Sequence, residues 1–331
     1  MKKQGTSEVV RLCRRVVLPA SLAVVLTSGA AVSRADTTVR ASVSSSEVQD
    51  NSGASGASYI TPNGRFVVFA STADGLVPGD TNSVSDVFVR DLVLGTTSRV
   101  SVPDPSTGFT QDNGASRLGR PGVRYCSDDG RFVVFVSSAS NLVNGDTNGD
   151  QDIEGLDIFV RDRDLDNNGI LDEAGAGKVK TVRVSVDSNE NQYTKFVVGV
   201  GTYGGRVDNP SISANGRYVA FECDHDGLTV GTDQGTIGSN IYWRDRDADN
   251  DGIFDEPGNN SQGVDQAITK LVSKVRCCTG QQFDGYSQNP AISGDGRYVA
   301  FASLSRFLDI DTVQDNDSNN VLDVYVRRMD G

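Results

Sequence analysis

Histidine is nearly absent from this chain, and much of enzyme chemistry is absent with it. The single imidazole, His225, sits in "CDHDG". A Ser or Cys nucleophile needs a base beside it, and a lone loop histidine just after a strand reads as incidental. No G-x-S-x-G elbow occurs, which removes the usual hydrolase signature. Nowhere are Lys and Arg gathered into a stripe that would neutralise phosphates, so a nucleic-acid partner is excluded. Proline is scarce at 9 residues, aromatics make up 7%, and the net charge is -13. That balance suits one or two globular domains rather than a disordered chain.

Long apolar runs are missing except for one. Lys2, Lys3, Arg11, Arg14 and Arg15 precede an apolar stretch from Val16 to Val32, and Ser33 and Ala35 occupy cleavage-like positions. Residues 1–35 therefore read as a secretory signal peptide. The alternative is a retained anchor, but Pro19 and Gly29 interrupt a run already marginal for a bilayer. Cys13 precedes the run, so a lipid anchor on a cysteine just after it is not supported. Cleavage after Ala35 would leave 25 basic and 43 acidic residues, an acidic protein for the periplasm or the extracellular space, with no membrane span left.

What the remaining chain has in abundance is repetition. Four segments align: "YITPNGRFVVFAST" (59–72), "YCSDDGRFVVFVSS" (125–138), "SISANGRYVAFECD" (211–224) and "AISGDGRYVAFASL" (291–304). Each reads as a strand, a two-residue Asn/Asp-Gly turn and a strand rich in β-branched and aromatic residues. A third strand follows each hairpin: "DVFVRDL" (86–92), "DIFVRDR" (157–163), "NIYWRDR" (240–246) and "DVYVRRM" (323–329). Three copies add a fourth, "TTSRVSV" (96–102), "TVRVSV" (181–186) and "ITKLVSK" (268–274).

The last copy lacks its fourth strand, while "TTVRASVSSS" (37–46) matches the missing piece. A four-stranded unit entered at its own last strand predicts a ring closed by pairing the two chain ends, since closure removes unpaired edges. The expected fold is all-β, a β-propeller of four-stranded antiparallel blades over residues 36–331. The Gly-Arg pairs begin at 64, 130, 216 and 296, so insertions lengthen the blades. A closed monomer is favoured over an open array or half of a larger ring completed by a second chain.

The recurring S-x-[DN]-G-[RK] turn, the Y/F-V-A/V-F strand and the later D-V-Y/F-V-R-D resemble the WD40-like β-propeller (PD40) repeats of the TolB type, over 37–331. The resemblance implies the propeller fold. The same propeller type is similar to the gating domain of prolyl oligopeptidases.

Two insertions carry the acidic residues that stand out. In "DRDADNDGIFDEPG" (245–258), Asp247, Asp249 and Asp251 alternate, Gly252 follows, and Asp255 and Glu256 close the loop. Oxygen ligands at positions 1, 3 and 5 with glycine at 6 form a pattern that wraps a hard cation, and Ile253 would lend its carbonyl. "DRDLDNNGILDEAG" (162–175) repeats it with Asp164, Asp166, Asn168, Ile170, Asp172 and Glu173. With the glycine at 6, position 12 falls on Gly258 or Gly175, so this is not an EF-hand. The loops resemble thrombospondin type 3 or dockerin-type calcium loops between third and fourth strands, and imply structural calcium.

The acidic connections 77–86, 143–152 and 308–320 need no metal, because Asp, Asn and Gly suit turns by themselves. The repeated Arg90-Asp91, Arg161-Asp162 and Arg244-Asp245 suggest blade-to-blade contacts. Cys126 aligns with Ile60, Ile212 and Ile292 and reads as a core residue; Cys223 is placed to bridge to Cys277 or Cys278. The expectation is a non-enzymatic, calcium-stabilised module that binds a protein or glycan. The alternative is a secreted carboxylate-dependent hydrolase or lyase acting on a polysaccharide at a central channel.

Overall fold

The computed structural model describes residues 37–329 apart from 148–154, 193–195, 199–200, 204–206, 225–227, 230–238, 257–265, 275–284, 306–307, 309–318 and 320. The proposed signal segment 1–35, His225, Cys277 and Cys278 lie outside the described residues. Among the described residues, no helix is long and apolar enough to cross a membrane.

Residues 40–331 form one compact unit of antiparallel sheets. The first blade comprises β1 (Ser55–Ile60), β2 (Phe66–Ser71), β3 (Asp86–Asp91) and β4 (Thr96–Arg99). The second comprises β5 (Ser116–Arg117), β6 (Phe132–Ser137), β7 (Asp157–Asp162) and β8 (Lys180–Arg183). A small pair, β9 (Phe196–Val198) with β10 (Gly201–Tyr203), precedes the third blade. That blade is β11 (Val207–Ile212), β12 (Tyr218–Cys223), β13 (Asn240–Asp245) and β14 (Ile268–Leu271). The fourth has β15 (Ser287–Ile292), β16 (Tyr298–Ser303) and β17 (Asp323–Arg328). Strands pair in chain order within each blade, the meander of a β-propeller.

The alternating middle strands explain this order. Their aromatic residues meet across the second and third strands at one register position in every blade. Phe69 faces Phe88 with ring centroids 5.7 Å apart, Phe135 faces Phe159 at 5.8 Å, Phe221 faces Tyr242 at 5.7 Å, and Phe301 faces Tyr325 at 6.0 Å. Such stacked cross-strand pairs add to the burial that holds the sheet. Residues of the opposite parity, Val87, Val89, Ile158 and Val160, are fully buried and share one core with residues of neighbouring blades, such as Cys126 and Ile212.

Two expectations change in detail. The hairpin turn holds four residues rather than two: Thr61 N–H donates to Phe66 O at 3.0 Å, and Gly64 N–H donates to Thr61 O at 2.8 Å. The reason is the residue before the turn. Thr61, Ser127, Ser213 and Ser293 each place a hydroxyl on the turn Asn or Asp. That side chain also accepts the N–H of the following arginine, and the glycine between takes positive φ, +70° at Gly64 and +82° at Gly130. This side-chain bonding stabilises a longer loop closed by a left-handed glycine.

The second concerns ring closure. Residues 37–46 form no strand among the described residues and do not pair with β17. Residues 43–45 lie instead beside the first blade, where Thr97 Oγ1 donates to Val43 O and Thr97 N–H donates to Ser45 Oγ at 2.9 Å. The side chains of Thr97 and Ser45 thus tie the segment to β4 of the first blade rather than to β17 of the same chain.

Candidate metal centre

Both acidic insertions leave the third strand of a blade through an arginine that anchors them from below. Arg246 is 1% exposed and lies over the touching rings of Phe132 and Phe254, 4.8 and 5.1 Å from their centroids. Its Nε donates to both oxygens of Asp255 at 3.1 and 2.9 Å, and Nη1 donates to Gly216 O at 2.7 Å. Arg163 repeats this with Asp172 at 3.1 and 3.0 Å and with Gly130 O at 2.8 Å. The guanidinium beside Asp172 holds its carboxyl below the usual carboxylate range despite the burial that opposes it. Asp172 and Asp255, which the acidic pattern counts as cation ligands, are thus the partners of buried arginines, a bidentate pairing that fixes the loop to the blade.

Above the anchor, the two loops share a backbone frame. Asn167 N–H donates to Asp164 O at 3.0 Å and Asn250 N–H to Asp247 O at 3.2 Å, while Asp172 and Asp255 N–H groups return to Arg163 and Arg246 carbonyls. Leu165 N–H donates to Lys178 O, and Ala248 N–H to Gln266 O, so Lys178 and Gln266 are structural equivalents. Gly169 and Gly252 take φ of +85° and +89° at the sharp turn, as the position 6 reading requires.

The loops part company in their side chains. In 247–251, carboxylate oxygens of Asp247, Asp249 and Asp251 all lie within 4.8 Å of one another. Asp247 is 5% exposed and accepts the backbone N–H groups of Gly252, at 3.3 Å, and Asp251, with Arg217 Nη1 at 3.9 Å. Burial accordingly raises its carboxyl above the ordinary value. Oδ1 of Asp249 is shielded from solvent and has no hydrogen-bond partner among the described residues. An orphaned carboxylate oxygen beside two further carboxylates is the donor set of a hard cation. Glu256 is held by Gln266 Nε2 at 3.2 Å, at the other end of the loop, and Ile253 N–H donates to Asp251 Oδ1 at 2.8 Å.

In 164–173 the same space holds a tethered cation. Lys178 Nζ lies 2.6 Å from Asp166 Oδ2 and 2.8 Å from Glu173 Oε2. Asn168 Nδ2 donates to those same two oxygens at 3.0 and 2.9 Å, and Asn168 Oδ1 accepts the Ile170 N–H. Asp164 is spent on the N–H groups of Asn168 and Gly169 at 2.9 and 2.8 Å. The Lys178 hydrogen bonds pull both Asp166 and Glu173 below their ordinary values.

Lys178 was not legible as part of the loop, because it follows Glu173 by several residues and enters only through the pairing of Leu165 with its carbonyl. A second unforeseen cluster lies at the first blade junction. Arg99 Nη1 is 2.9 Å from Asp80 and 3.6 Å from Asp86, with Asp112 in side-chain contact with Asp86 and bonded to Asn82 and Ser116. Desolvation and the neighbouring Asp86 raise Asp80 to about 6 and Asp112 to about 8. These groups are 7% and 2% exposed, enclosed within the sheets.

The repeated Arg-Asp pairs divide their work. Asp91, Asp162 and Asp245 bind the turn arginines Arg65, Arg131 and Arg217 of their own blade. Arg90 and Arg244 reach Glu47 and Glu190, in the segments that precede their blades. Only the arginine half carries the expected contact with a neighbouring segment.

No family model matches the sequence, and no curated protein matches it. Solved structures do resemble it. A protein described as TolB from Agrobacterium tumefaciens is 16% identical, with 83% of this chain and 61% of that one covered at a TM-score of 0.35. TolB from Acinetobacter baumannii is 15% identical, covering 76% and 40% at 0.32, and the tricorn protease is 11% identical, covering 78% and 20% at 0.35. The chain thus spans less than two thirds of the length of each, and its assignment as a β-propeller rests on the pairing of its own strands.

Proposed function

We propose that the chain is an exported, calcium-stabilised β-propeller that serves as a binding module for a protein or glycan and performs no catalysis. One observation carries the calcium part: Asp247, Asp249 and Asp251 converge with an orphaned buried oxygen, whereas the equivalent loop satisfies its carboxylates with Lys178. Asp247, Asp249 and Asp251 would hold the ion, with the Ile253 carbonyl and Glu256 as the remaining oxygens within the loop. The 164–173 loop, its lysine in place, is the weaker copy.

Support for a binding role comes from repetition of structural contacts in every blade. The described carboxyls raised by burial at the first junction, Asp80 and Asp112, are enclosed, which favours packing over turnover of a polysaccharide. Export rests on the basic and apolar pattern of 1–35.

The calcium part is tested by melting the protein in chelator and in millimolar calcium. A site filled a hundredfold above its dissociation constant adds roughly 2.7 kcal/mol by mass action. Asp249→Asn should abolish most of that rise, and an equal rise in the variant would refute the assignment.

A further inference from the structure

The three blade junctions repeat one contact. The turn glycine of each following blade sits against the ring that opens the second strand of the blade before it: Gly130 on Phe66, Gly216 on Phe132, Gly296 on Tyr218. A Cβ at any of them would collide with that ring. Arg163 and Arg246 cover the same rings. Cys126 and Ile212 are wholly buried in these contacts, and Ile292 is 9% exposed.

The two ends of the array carry the halves of this contact without a mate. At the fourth blade, Tyr298 is 40% exposed, Val324 79% and Val326 65%, although their counterparts Phe66, Val87 and Val89 are buried. At the first blade, Ile60 is 52% exposed and Leu92, the counterpart of Arg163 and Arg246, is exposed. Nothing lies within 4 Å of where a Cβ of Gly64 would be. One end is a socket and the other its plug.

The outer strand shows the same division. Asp86, at the start of β3, takes Arg99 and Ser101 from the fourth strand; Asp157 takes Arg183 and Ser185. In the third blade both members of the ion pair are lost together, as Asn240 and Leu271, and Ser273 alone remains, bonded to Asn240 at 3.0 Å. The fourth blade keeps the acid, Asp323, and among the described residues no strand pairs with the outer edge of β17. Residues 37–43, "TTVRASV", align with 96–102, "TTSRVSV", and supply Arg40 and Ser42 at the matching positions.

The structure already seats the end of this segment where the tail of a preceding fourth strand belongs. Thr97 Oγ1 donates to Val43 O, just as Thr181 Oγ1 donates to Val102 O and Thr269 Oγ1 to Val186 O. Glu47 meets Arg90 as Glu190 meets Arg244.

We infer that a second copy of this chain fills the gap: residues 40–43 of one copy add along β17 of the other, and two four-blade arrays join head to tail into one eight-bladed ring. The junction continues a contact the molecule makes three times, with Arg40 and Asp323 as its charge pair. Closure within one chain would have to alter three close-packed junctions that are already satisfied, which cores resist. A second copy uses them unchanged. A heterologous contact must close or it propagates. Two copies give eight blades, within the range propellers adopt, whereas three would exceed it.

The test uses the whole chain with Ser42→Cys and Asp323→Cys together, because the corresponding Ser101 and Asp86 side chains touch, and Ser42→Cys alone as control. Light scattering should give wild type twice the mass of a single chain, and oxidation should link the double variant between chains while leaving the control unlinked. A disulfide within one chain, a monomeric wild type, or open-ended polymers would each overturn the inference. Ile60→Asp and Val324→Asp/Val326→Asp change exposed residues only. Each should be monomeric alone, and their mixture should recover a one-to-one pair through the single intact junction. A mixture that stays monomeric contradicts a head-to-tail contact.

Discussion

The loops at 162–175 and 245–258 have the same backbone and opposite ways of balancing charge. Both rise from a buried arginine clamped on an aspartate, both turn on a left-handed glycine, and both return beside the following strand. Two of the positions at which they differ decide their charge balance. Where the first has Asn168 and Lys178, the second has Asp251 and Gln266, and with those exchanges a pair of satisfied carboxylates becomes a trio that includes an orphaned oxygen. A lysine is a cation the chain carries with it; the carboxylate trio has no such partner among the described residues. The comparison shows that an acidic pattern alone does not define a metal site, because the neutralising group can come from outside the pattern.

The features the loops share should matter most. Arg246→Ala leaves Asp255 buried without its partner, and removing one member of a buried pair costs about 3–5 kcal/mol; Arg163→Ala should cost less, because the Asp172 side chain is 23% exposed. Chemical denaturation should show a loss for both, with or without calcium. A loss confined to one loop would mean that the anchors are not equivalent.

Next comes exchange of the distinguishing residues. Gln266→Lys places an ammonium beside Glu256 and the Asp247 group, so the calcium-induced rise in melting temperature, worth roughly 2.7 kcal/mol at a hundredfold excess, should largely vanish. Lys178→Gln should lower stability in chelator and enlarge the calcium response, since Asp166 and Glu173 lose their tethered cation. Magnesium should stabilise wild type less than calcium, because it demands a stricter octahedron than a flexible many-oxygen loop offers. If both exchanges leave the calcium response unchanged, the side-chain comparison fails.

The smallest effect is one of sign. Asp166 and Glu173 sit below their ordinary values of 3.8 and 4.5. Their contribution is present above those values and is lost as pH falls through the folded ones. Asp247 is raised above 3.8, so in chelator its contribution is fully present below 3.8 and is lost as pH rises through its folded value. Melting curves in chelator should therefore show Lys178→Gln flattening the acid loss and Asp247→Asn flattening the loss on the rising side. The exposed pair with Lys178 is screened, so its term should also shrink in high salt.

The blades were legible because their signals are local and repeated: alternating strands, Gly-Arg turns and the aromatic pair at one register. The turn length was less so, since an Asn-Gly or Asp-Gly dipeptide does not reveal the hydroxyl of Thr61 or Ser127 that stretches the loop. In the candidate site, Asp247, Asp249 and Asp251 were legible from spacing, and they converge. The partners of Asp172 and Asp255 were not legible for a physical reason: a carboxylate in an acidic run looks the same whether it faces a cation or a guanidinium from the strand below, where the fold places Arg163 and Arg246. The Asp80, Asp86 and Asp112 cluster joins residues from separate segments, so only the folded chain brings it together.

Calorimetric titration of calcium into the chelator-stripped protein, wild type beside Asp249→Asn, decides whether the Asp247, Asp249 and Asp251 trio is a cation site. One tight equivalent per chain in wild type and none in the variant is the predicted result. No tight binding by wild type, or a tight site that survives Asp249→Asn, would contradict it.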